Sequence, residues 1–432
     1  MNFLLFLFVA FITTPFLGAQ EPGTSVSGTS LLGTAVPGAL VSEVKAPAAA
    51  SHAAVLIDAA TGVTLYNKNG NDRISPASLT KLMTMHIALQ EVAAGRASLD
   101  EIVELPPQSW AVNQPPRSSL MSLGAGQRVR LRELLLGLAV PSGNDAAVAV
   151  ALRFAPSIEA FAERMNQEGR YFGMTNTRFV EPSGISEYNV TTALEFAYFC
   201  REYMSFHPET LRDYHSVAEF AYPKAENAAD PYGDDFTTRV QRNRNALLGD
   251  VEGVDGLKTG YIDEAGYNIA LTAERGGTRL VAVILGAPAS PGGDRIRDED
   301  GRVLLEWGFS NFKTLRTASP QLEPLRVWKG RTNQVELVPE TEERIGVDIG
   351  TTGGYIWTLT SYTGRGGFLQ WETELNGPLI APLPAGSAAG TLILSDEFGE
   401  LKRIPLVIAG GVERGNFFKR LWDSIRLFFM RL

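Results

Sequence analysis

A hydroxyl and an amine three residues apart are the first chemistry in this chain: Ser78 and Lys81, within Ser75-Pro76-Ala77-Ser78-Leu79-Thr80-Lys81. Ser75 is a candidate N-cap and Pro76 a candidate first helical residue, so a helix is expected to open here. Leu82, Met85, Leu89 and Val92 continue it at helical spacing, and Gly95 is a natural stop. Ser78 then falls in the first turn, beside N–H groups without an intrahelical partner, with Lys81 on the same face. A serine hydroxyl is a weak nucleophile until a base takes its proton. A lysine becomes that base when burial or neighbouring positive charge keeps part of it neutral. Taken alone, Ser-x-x-Lys reads as an ordinary helix N-terminus with a surface lysine.

Two further clusters change that balance. Ser142-Gly143-Asn144 falls in the break between two expected helices, where a hydroxyl and an amide can point into a shared cleft. Lys258-Thr259-Gly260 falls on an expected strand. Gly260 leaves a side-chain gap through which a substrate can approach the backbone, while Lys258 and Thr259 offer a charge and a hydroxyl. Ser-x-x-Lys, Ser-x-Asn and Lys-Thr-Gly, in that order on helix, loop and strand, form the motif set of penicillin-binding proteins and class A β-lactamases.

The elements that must hold these groups can be read along the chain. With 432 residues, two domains are expected. The 44% hydrophobic and 20% charged content describes a globular body, and a net charge of −9 argues against nucleic acid as a partner. Residues 3–17 are apolar but short for a bilayer span, and Pro15 with Gly18-Ala19 reads as the end of a signal peptide, residues 1–19. An uncleaved anchor is the other reading of that segment. No cysteine follows it, which excludes a lipoprotein anchor. Residues 20–50 read as a flexible leader. Cys200 is the single cysteine, so the chain has no internal disulfide, and its apolar surroundings read as a buried structural thiol. The four histidines lack metal-ligand spacing, and neither a metal nor another cofactor is expected.

The body over residues 51–316 is expected to be α/β, with helices flanking and interleaved with a mostly antiparallel sheet. Its strands include Ala53 to Asp58, Val63 to Tyr66, Val254 to Gly260, Tyr267 to Ala273 and Thr278 to Leu285. Its helices include Arg130 to Val140, Asp145 to Ala155, Ile158 to Phe172, Thr191 to Phe206 and a closing helix over Asp298 to Phe309. Residues 325–410 read as a small all-β domain of short strands and Gly-, Asn- and Pro-rich turns. Residues 413–432 are different. Phe417, Phe418, Leu421, Trp422, Ile425, Phe428, Phe429 and Leu432 fall within about 140° of a helical wheel, opposite mostly charged positions. The segment holds five basic and two acidic residues on an acidic chain. That is the make-up of a helix lying in an anionic membrane surface; a terminal helix packed on its own protein is the alternative.

Beyond the three motifs, Pro141 to Ala147, Met165-Asn166, Phe172-Gly173-Met174, Asp255 to Gly260, Ala265-Gly266-Tyr267, Trp307-Gly308-Phe309 and Arg414 to Phe418 resemble the low-molecular-mass penicillin-binding proteins. These are serine D-alanyl-D-alanine carboxypeptidases. The resemblance spans about residues 50–432 and fits the subgroup with a C-terminal amphipathic anchor. It implies a β-lactamase/DD-peptidase-like catalytic domain, with a helical subdomain, acting on peptidoglycan stem peptides ending in D-Ala-D-Ala and acylated by β-lactams. It implies a place on the outer, periplasmic face of the cytoplasmic membrane and a part in cell-wall maturation and cell shape.

The same resemblance implies roles. Lys81 would deprotonate Ser78, and the N–H groups of Ser78 and Tyr261 would form the oxyanion hole. Ser142 and Lys258 would relay a proton to the departing D-alanine, and Asn144 would hold the substrate amide. Thr259 and Lys258 would bind the terminal carboxylate beside Gly260, with Arg297 as a further candidate. The chain departs from the family at Pro182-Ser183-Gly184-Ile185, usually Pro-His-Gly-Leu, and at Ile262, often Thr. A serine β-lactamase or related esterase is a competing reading, but no Glu-x-x-Leu-Asn stretch lies between Asn144 and Lys258. A non-catalytic peptidoglycan-binding scaffold is the other.

Overall fold

The computed structural model describes residues 45–228, 237–340, 356–363, 369–396 and 399–430. The expected signal peptide, the leader up to residue 44 and the last two residues of the terminal segment lie outside them. Strands β1 (Ala53–Asp58) and β2 (Thr64–Lys68) form the expected hairpin, turned by Gly62 at a φ of +72°. β1 is wholly buried, and its alternation serves two cores. Ala53, Val55 and Ile57 belong to one apolar cluster, and Ala54 and Leu56 to another on the opposite face.

The helix start differs from expectation. Ser75 does not cap a helix: Ile74 bridges Thr191, and the Ser75 carbonyl accepts from Asn268 Nδ2 at 2.9 Å. Pro76 is then the cap of a single 3-10 turn, Ala77–Thr80, and regular helix α1 begins only at Lys81, ending at Ala93 before Gly95. Ala77 is held at a φ of +48°. Tertiary contacts to Ser75 thus override its capping preference, and Ser78 stands in a tight turn ahead of the helix.

Short strands β3 (Ile102–Val103) and β4 (Val129–Arg130) pair across the loop-rich stretch. Helices α2 (Leu131–Ala139), α3 (Asn144–Phe154), α4 (Ile158–Tyr171) and α5 (Ala193–Phe206) pack with α1 around Leu82, Leu134, Leu138, Phe161 and Phe196. Ser157 and Thr192 cap α4 and α5 through their side-chain oxygens. After the pair β5 (Glu219–Tyr222) and β6 (Arg239–Arg242) come the long strands β7 (Val254–Ile262), β8 (Gly266–Arg275) and β9 (Thr278–Ala287).

These build a five-stranded antiparallel sheet in the order β2-β1-β9-β8-β7, which leaves β7 at an edge. The helical part covers one face. Helix α6 (Gly293–Asn311) covers the other through Leu304 and Leu305. It starts five residues before the expected Asp298, because the left-handed Gly292 (φ +86°) turns the chain into it. A Cβ on Gly301 would come within 2.5 Å of Leu271 Cδ1, so this glycine sets how closely α6 lies on the sheet.

Strand β10 (Phe312–Ala318) leaves α6 without a break. Beyond it lie β11 (Leu325–Trp328), β12 (Gln334–Val335), β13 (Leu337–Pro339), β14 (Ile356–Tyr362), β15 (Gln370–Leu375), β16 (Leu379–Ile380), β17 (Ala388–Asp396) and β18 (Gly399–Ile408). β10 pairs with β14, and sheets β12-β11-β16 and β13-β18-β17-β15 enclose a third core containing Val327, Leu337, Leu392 and Leu406. Asp58 joins the two parts by accepting from the Thr314 and Thr360 hydroxyls at 3.0 and 2.7 Å. Helix α7 (Phe417–Met430) closes the described chain.

Candidate active site

The site forms where the 3-10 turn, the α2–α3 junction and edge strand β7 meet. Lys81 is fully buried, and its Nζ has three oxygen neighbours: Ser78 Oγ at 2.9 Å, Asn144 Oδ1 at 2.8 Å and the Ser183 carbonyl at 2.5 Å. Burial pulls the Lys81 pKa down to about 7, against the opposing pull of Glu181 and Asp145 and with the help of Arg244. Asn144 Oδ1 and the Ser183 carbonyl can only accept. A neutral amine has two N–H groups and one lone pair, so those two oxygens retain the hydrogens and the lone pair faces the Ser78 hydroxyl. Such an arrangement suits proton transfer from Ser78 Oγ to Lys81 Nζ.

Ser142 is almost fully buried, two residues before Asn144, and holds a φ of +65° in the tight α2–α3 junction. Such left-handed non-glycine backbone costs on the order of 1–3 kcal/mol and persists only where its surroundings enforce it. Here the Gly143 N–H donates to the Gly137 carbonyl at 2.8 Å and the Asn144 N–H to Ser119 at 2.8 Å. Next to them, buried Asp145 accepts the N–H groups of Met121, Ser122 and Leu123 at 2.8, 2.7 and 2.9 Å, which ties the preceding loop to the junction.

On the sheet side, Gly260 faces the backbone of Ser78. A Cβ there would lie 2.8 Å from the Pro76 carbonyl and 3.0 Å from the Ser78 nitrogen. Lys258 is buried on the same strand, and its Nζ donates to the Thr259 carbonyl at 2.9 Å. Its pKa is pushed well below the usual lysine value by burial and then by Lys81, Arg244 and Arg297. Thr259 is also buried. The Tyr261 side chain is exposed, stacks at 4.3 Å on Tyr267 and donates to Asp263 at 2.7 Å. Arg297 lies on α6 with its Nε and one terminal nitrogen on Asp298 Oδ1, at 2.9 and 2.7 Å. It acts on Lys258 through its positive field.

Several supporting groups carry no motif in the sequence. Glu181 binds Ser183 through both its N–H and its hydroxyl, at 2.7 and 2.6 Å, and takes the Gly184 N–H at 2.7 Å and Asn189 Nδ2 at 2.8 Å. It thereby fixes the carbonyl that Lys81 touches. Gly184, at a φ of +82°, lies so close to Ala77 that a Cβ would collide with the Ala77 carbonyl. Arg244 donates to the Pro141 carbonyl at 3.1 Å. His215 Nδ1 donates to the Leu257 carbonyl at 3.1 Å and its Nε2 accepts from the Tyr203 hydroxyl at 2.8 Å, a neutral tautomer propping β7 from behind. Burial keeps that ring neutral, with a pKa near 3. These long-range contacts have no local signature; only Glu181 has a sequence cue, the departure at Pro182-Ser183-Gly184-Ile185 beside it.

An antiparallel sheet with a free edge, a helical part and a Ser-x-x-Lys turn between them define a class, the active-site-serine enzymes of the penicillin-binding type. A family model described as D-alanyl-D-alanine carboxypeptidase matches residues 41–289. The D-alanyl-D-alanine carboxypeptidase DacC of Escherichia coli (strain K12) is 32% identical over 393 residues, 89% of this chain and 90% of that protein. Penicillin binding protein 5 from Haemophilus influenzae superposes with a TM-score of 0.71 at 28% identity, over 86% of this chain and 100% of its own. Penicillin-binding protein D2 from Listeria monocytogenes, in its cefotaxime-bound form, superposes with a TM-score of 0.53 at 29% identity, over 62% of this chain and 100% of its own. The chain belongs to the D-alanyl-D-alanine carboxypeptidase family.

Proposed function

We propose that this protein removes the terminal D-alanine from peptidoglycan stem peptides ending in D-Ala-D-Ala, through an acyl-enzyme on Ser78. The observation that carries the reading is the Lys81 amine, buried, with a pKa near 7 and its Nζ 2.9 Å from Ser78 Oγ. Neutral Lys81 takes the hydroxyl proton as Oγ attacks the penultimate carbonyl. The N–H groups of Ser78 and Tyr261 receive the oxyanion. Ser142, with Lys258, passes a proton to the leaving amine, and Asn144 holds the substrate amide. An extended peptide adds to the free edge of β7, and its carboxylate meets Thr259 and the positive field of Lys258, Arg244 and Arg297. Water then releases the shortened peptide.

A β-lactam is expected to acylate Ser78 and leave slowly. Glu181 spends both oxygens on Ser183, Gly184 and Asn189, which leaves it no acceptor for a hydrolytic water. Rapid β-lactam hydrolysis is correspondingly disfavoured. The test pairs D-alanine release from a pentapeptide with labelling by a fluorescent penicillin. Ser78→Ala should abolish both, and undiminished labelling would remove the mechanism.

The same reading places the enzyme on the outer face of the cytoplasmic membrane, held peripherally by α7. Among the described residues no helix is long and apolar enough to cross a membrane. α7 turns its apolar side outward: Phe418 is 79% exposed, Phe429 69% and Trp422 57%, while Asp423 is 3% exposed. A helix packed by its polar side and bare on its apolar side suits a lipid surface. A chain ending at Gly410 should leave the membrane fraction and still be acylated by penicillin.

A further inference from the structure

Helix α7 is not simply appended to the β-rich part; it is latched to it. Asp423 accepts the Lys329 N–H at 2.7 Å and the Lys419 ammonium at 2.9 Å, with Arg326 at 4.0 Å. The chain entering the helix is fixed as well. Arg414 bridges Gly330, and the Gly415 N–H donates to the Lys329 carbonyl at 2.8 Å. Between the helix and the turn after β11 lies a cleft of about 450 Å³, lined by Lys329, Arg414, Arg420, Ser424, Phe417 and Leu421.

The cleft's chemistry is specific. It collects three cations, and among the described residues none of the three side chains makes an ion pair or a hydrogen bond, whereas the acids nearby are already engaged: Asp423 as above, and Glu413 with Arg331 at 3.3 Å. Arg420 Nε is buried without a partner. A guanidinium N–H buried without an acceptor is unfavourable, and an anion seated in the cleft would supply one. Lys329 is held at a φ of +59°, a backbone state that accumulates at ligand clamps. Phe417 and Leu421 sit on the rim and belong to the exposed apolar side of α7.

We propose that this cleft binds the phosphate of an anionic phospholipid, with Lys329, Arg414 and Arg420 around the phosphate oxygens and the acyl chains leaving over Phe417 and Leu421. The inference rests on the membrane reading of α7 and adds a defined headgroup site to it. An amphiphile is the occupant because a cationic cleft opens directly onto a bare apolar helix face. A free phosphate would use the first feature and leave the second unsatisfied.

The test uses the full-length protein and two vesicle populations, phosphatidylcholine alone and phosphatidylcholine with about 30% phosphatidylglycerol. The wild type should bind both, and the anionic vesicles at least about tenfold more tightly. Arg420→Gln is compared with Arg426→Gln, which removes the same charge from an exposed position of the same helix outside the cleft. Arg420→Gln, alone or with Lys329→Gln and Arg414→Gln, should erase most of the anionic preference, and Arg426→Gln only a small part. Equal losses from the two single variants would reduce the cleft to general surface charge and overturn the proposal. Failure of the wild type to bind either vesicle would instead overturn the membrane reading. Saturation of the cleft by inorganic phosphate at micromolar concentration, followed by titration calorimetry, would overturn the lipid assignment. Fluorescent-penicillin labelling of each variant confirms that the chain is folded.

Discussion

Asn144 Oδ1 lies 2.8 Å from Lys81 Nζ, so an amide from the α2–α3 junction is a direct partner of the amine beside the nucleophile. That contact makes Asn144 a direct neighbour of the proposed base as well as a candidate for holding substrate. Asn144→Ala removes an accept-only neighbour and frees the Lys81 lone pair to turn away from Ser78. Acylation by penicillin should slow about 10²- to 10³-fold. Asn144→Asp should act differently. A carboxylate at this distance stabilises the ammonium, so activity should fall at pH 7 and recover at higher pH. Equal loss at every pH would show that the amide acts on substrate alone.

The pH dependence of acylation follows from the Lys81 pKa near 7. The reactive form is the neutral amine, so the rate should climb about tenfold per pH unit below about 7 and level off above it. Glu181 raises that pKa through its negative charge. Glu181→Gln should therefore move the acid limb to lower pH and lower the plateau, because the Ser183 carbonyl loses its support. Glu181→Asp keeps the charge and should keep the limb near its wild-type position. Stopped-flow acylation across pH 5–9 reads both effects; an unmoved limb in Glu181→Gln would assign Glu181 a purely structural part.

The groups that touch one another through a motif were legible in the sequence, and the groups that touch through a fold were not. Ser78 and Lys81 are neighbours because they sit three residues apart, and Gly260 announces a close approach because it lacks a side chain. Glu181, Arg244 and His215 reach the site only after loops of tens of residues have closed, and nothing in their neighbours' types records it. The helix start was misread for the same reason. Ser75 and Pro76 have the right types for a cap, but Asn268 and Thr191, distant in sequence, engage Ser75 and Ile74 instead. The pairing of β10 with β14 across an intervening stretch is another non-local choice, whereas the β1–β2 and β8–β9 hairpins carry their turn residues with them.

Gly260 offers a purely steric prediction. A Cβ would meet two backbone atoms, the Pro76 carbonyl at 2.8 Å and the Ser78 nitrogen at 3.0 Å, neither of which can swing aside. Gly260→Ala should cost about 1–3 kcal/mol of stability and displace the Ser78 N–H from the proposed oxyanion hole. Acylation should fall more than thermal stability suggests. Gly184→Ala should be worse, since its Cβ collides with the Ala77 carbonyl and its φ of +82° disfavours any side chain. A Gly260→Ala protein with wild-type acylation would place the oxyanion hole elsewhere.

Lys258 and Arg297 both contribute positive charge near β7, but their surroundings predict unequal parts in binding the substrate carboxylate. Lys258 has a neutral partner, the Thr259 carbonyl, and no ion pair among the described residues; burial disfavours its ammonium, and an arriving carboxylate would supply the counter-ion that restores it. Arg297 already places two donors on Asp298. Lys258→Gln should lower kcat/KM for a D-Ala-D-Ala peptide about 10²-fold, through KM where it binds the carboxylate and through kcat where it serves the proton relay. Arg297→Gln should cost less than about fivefold, since its nearest anion neutralises most of its field. A C-terminally amidated peptide separates the two contributions. The wild type should discriminate strongly against it, Lys258→Gln should hardly discriminate, and Arg297→Gln should behave as the wild type. Loss of discrimination in Arg297→Gln with retention in Lys258→Gln would exchange the two roles and move the carboxylate from the β7 edge toward α6.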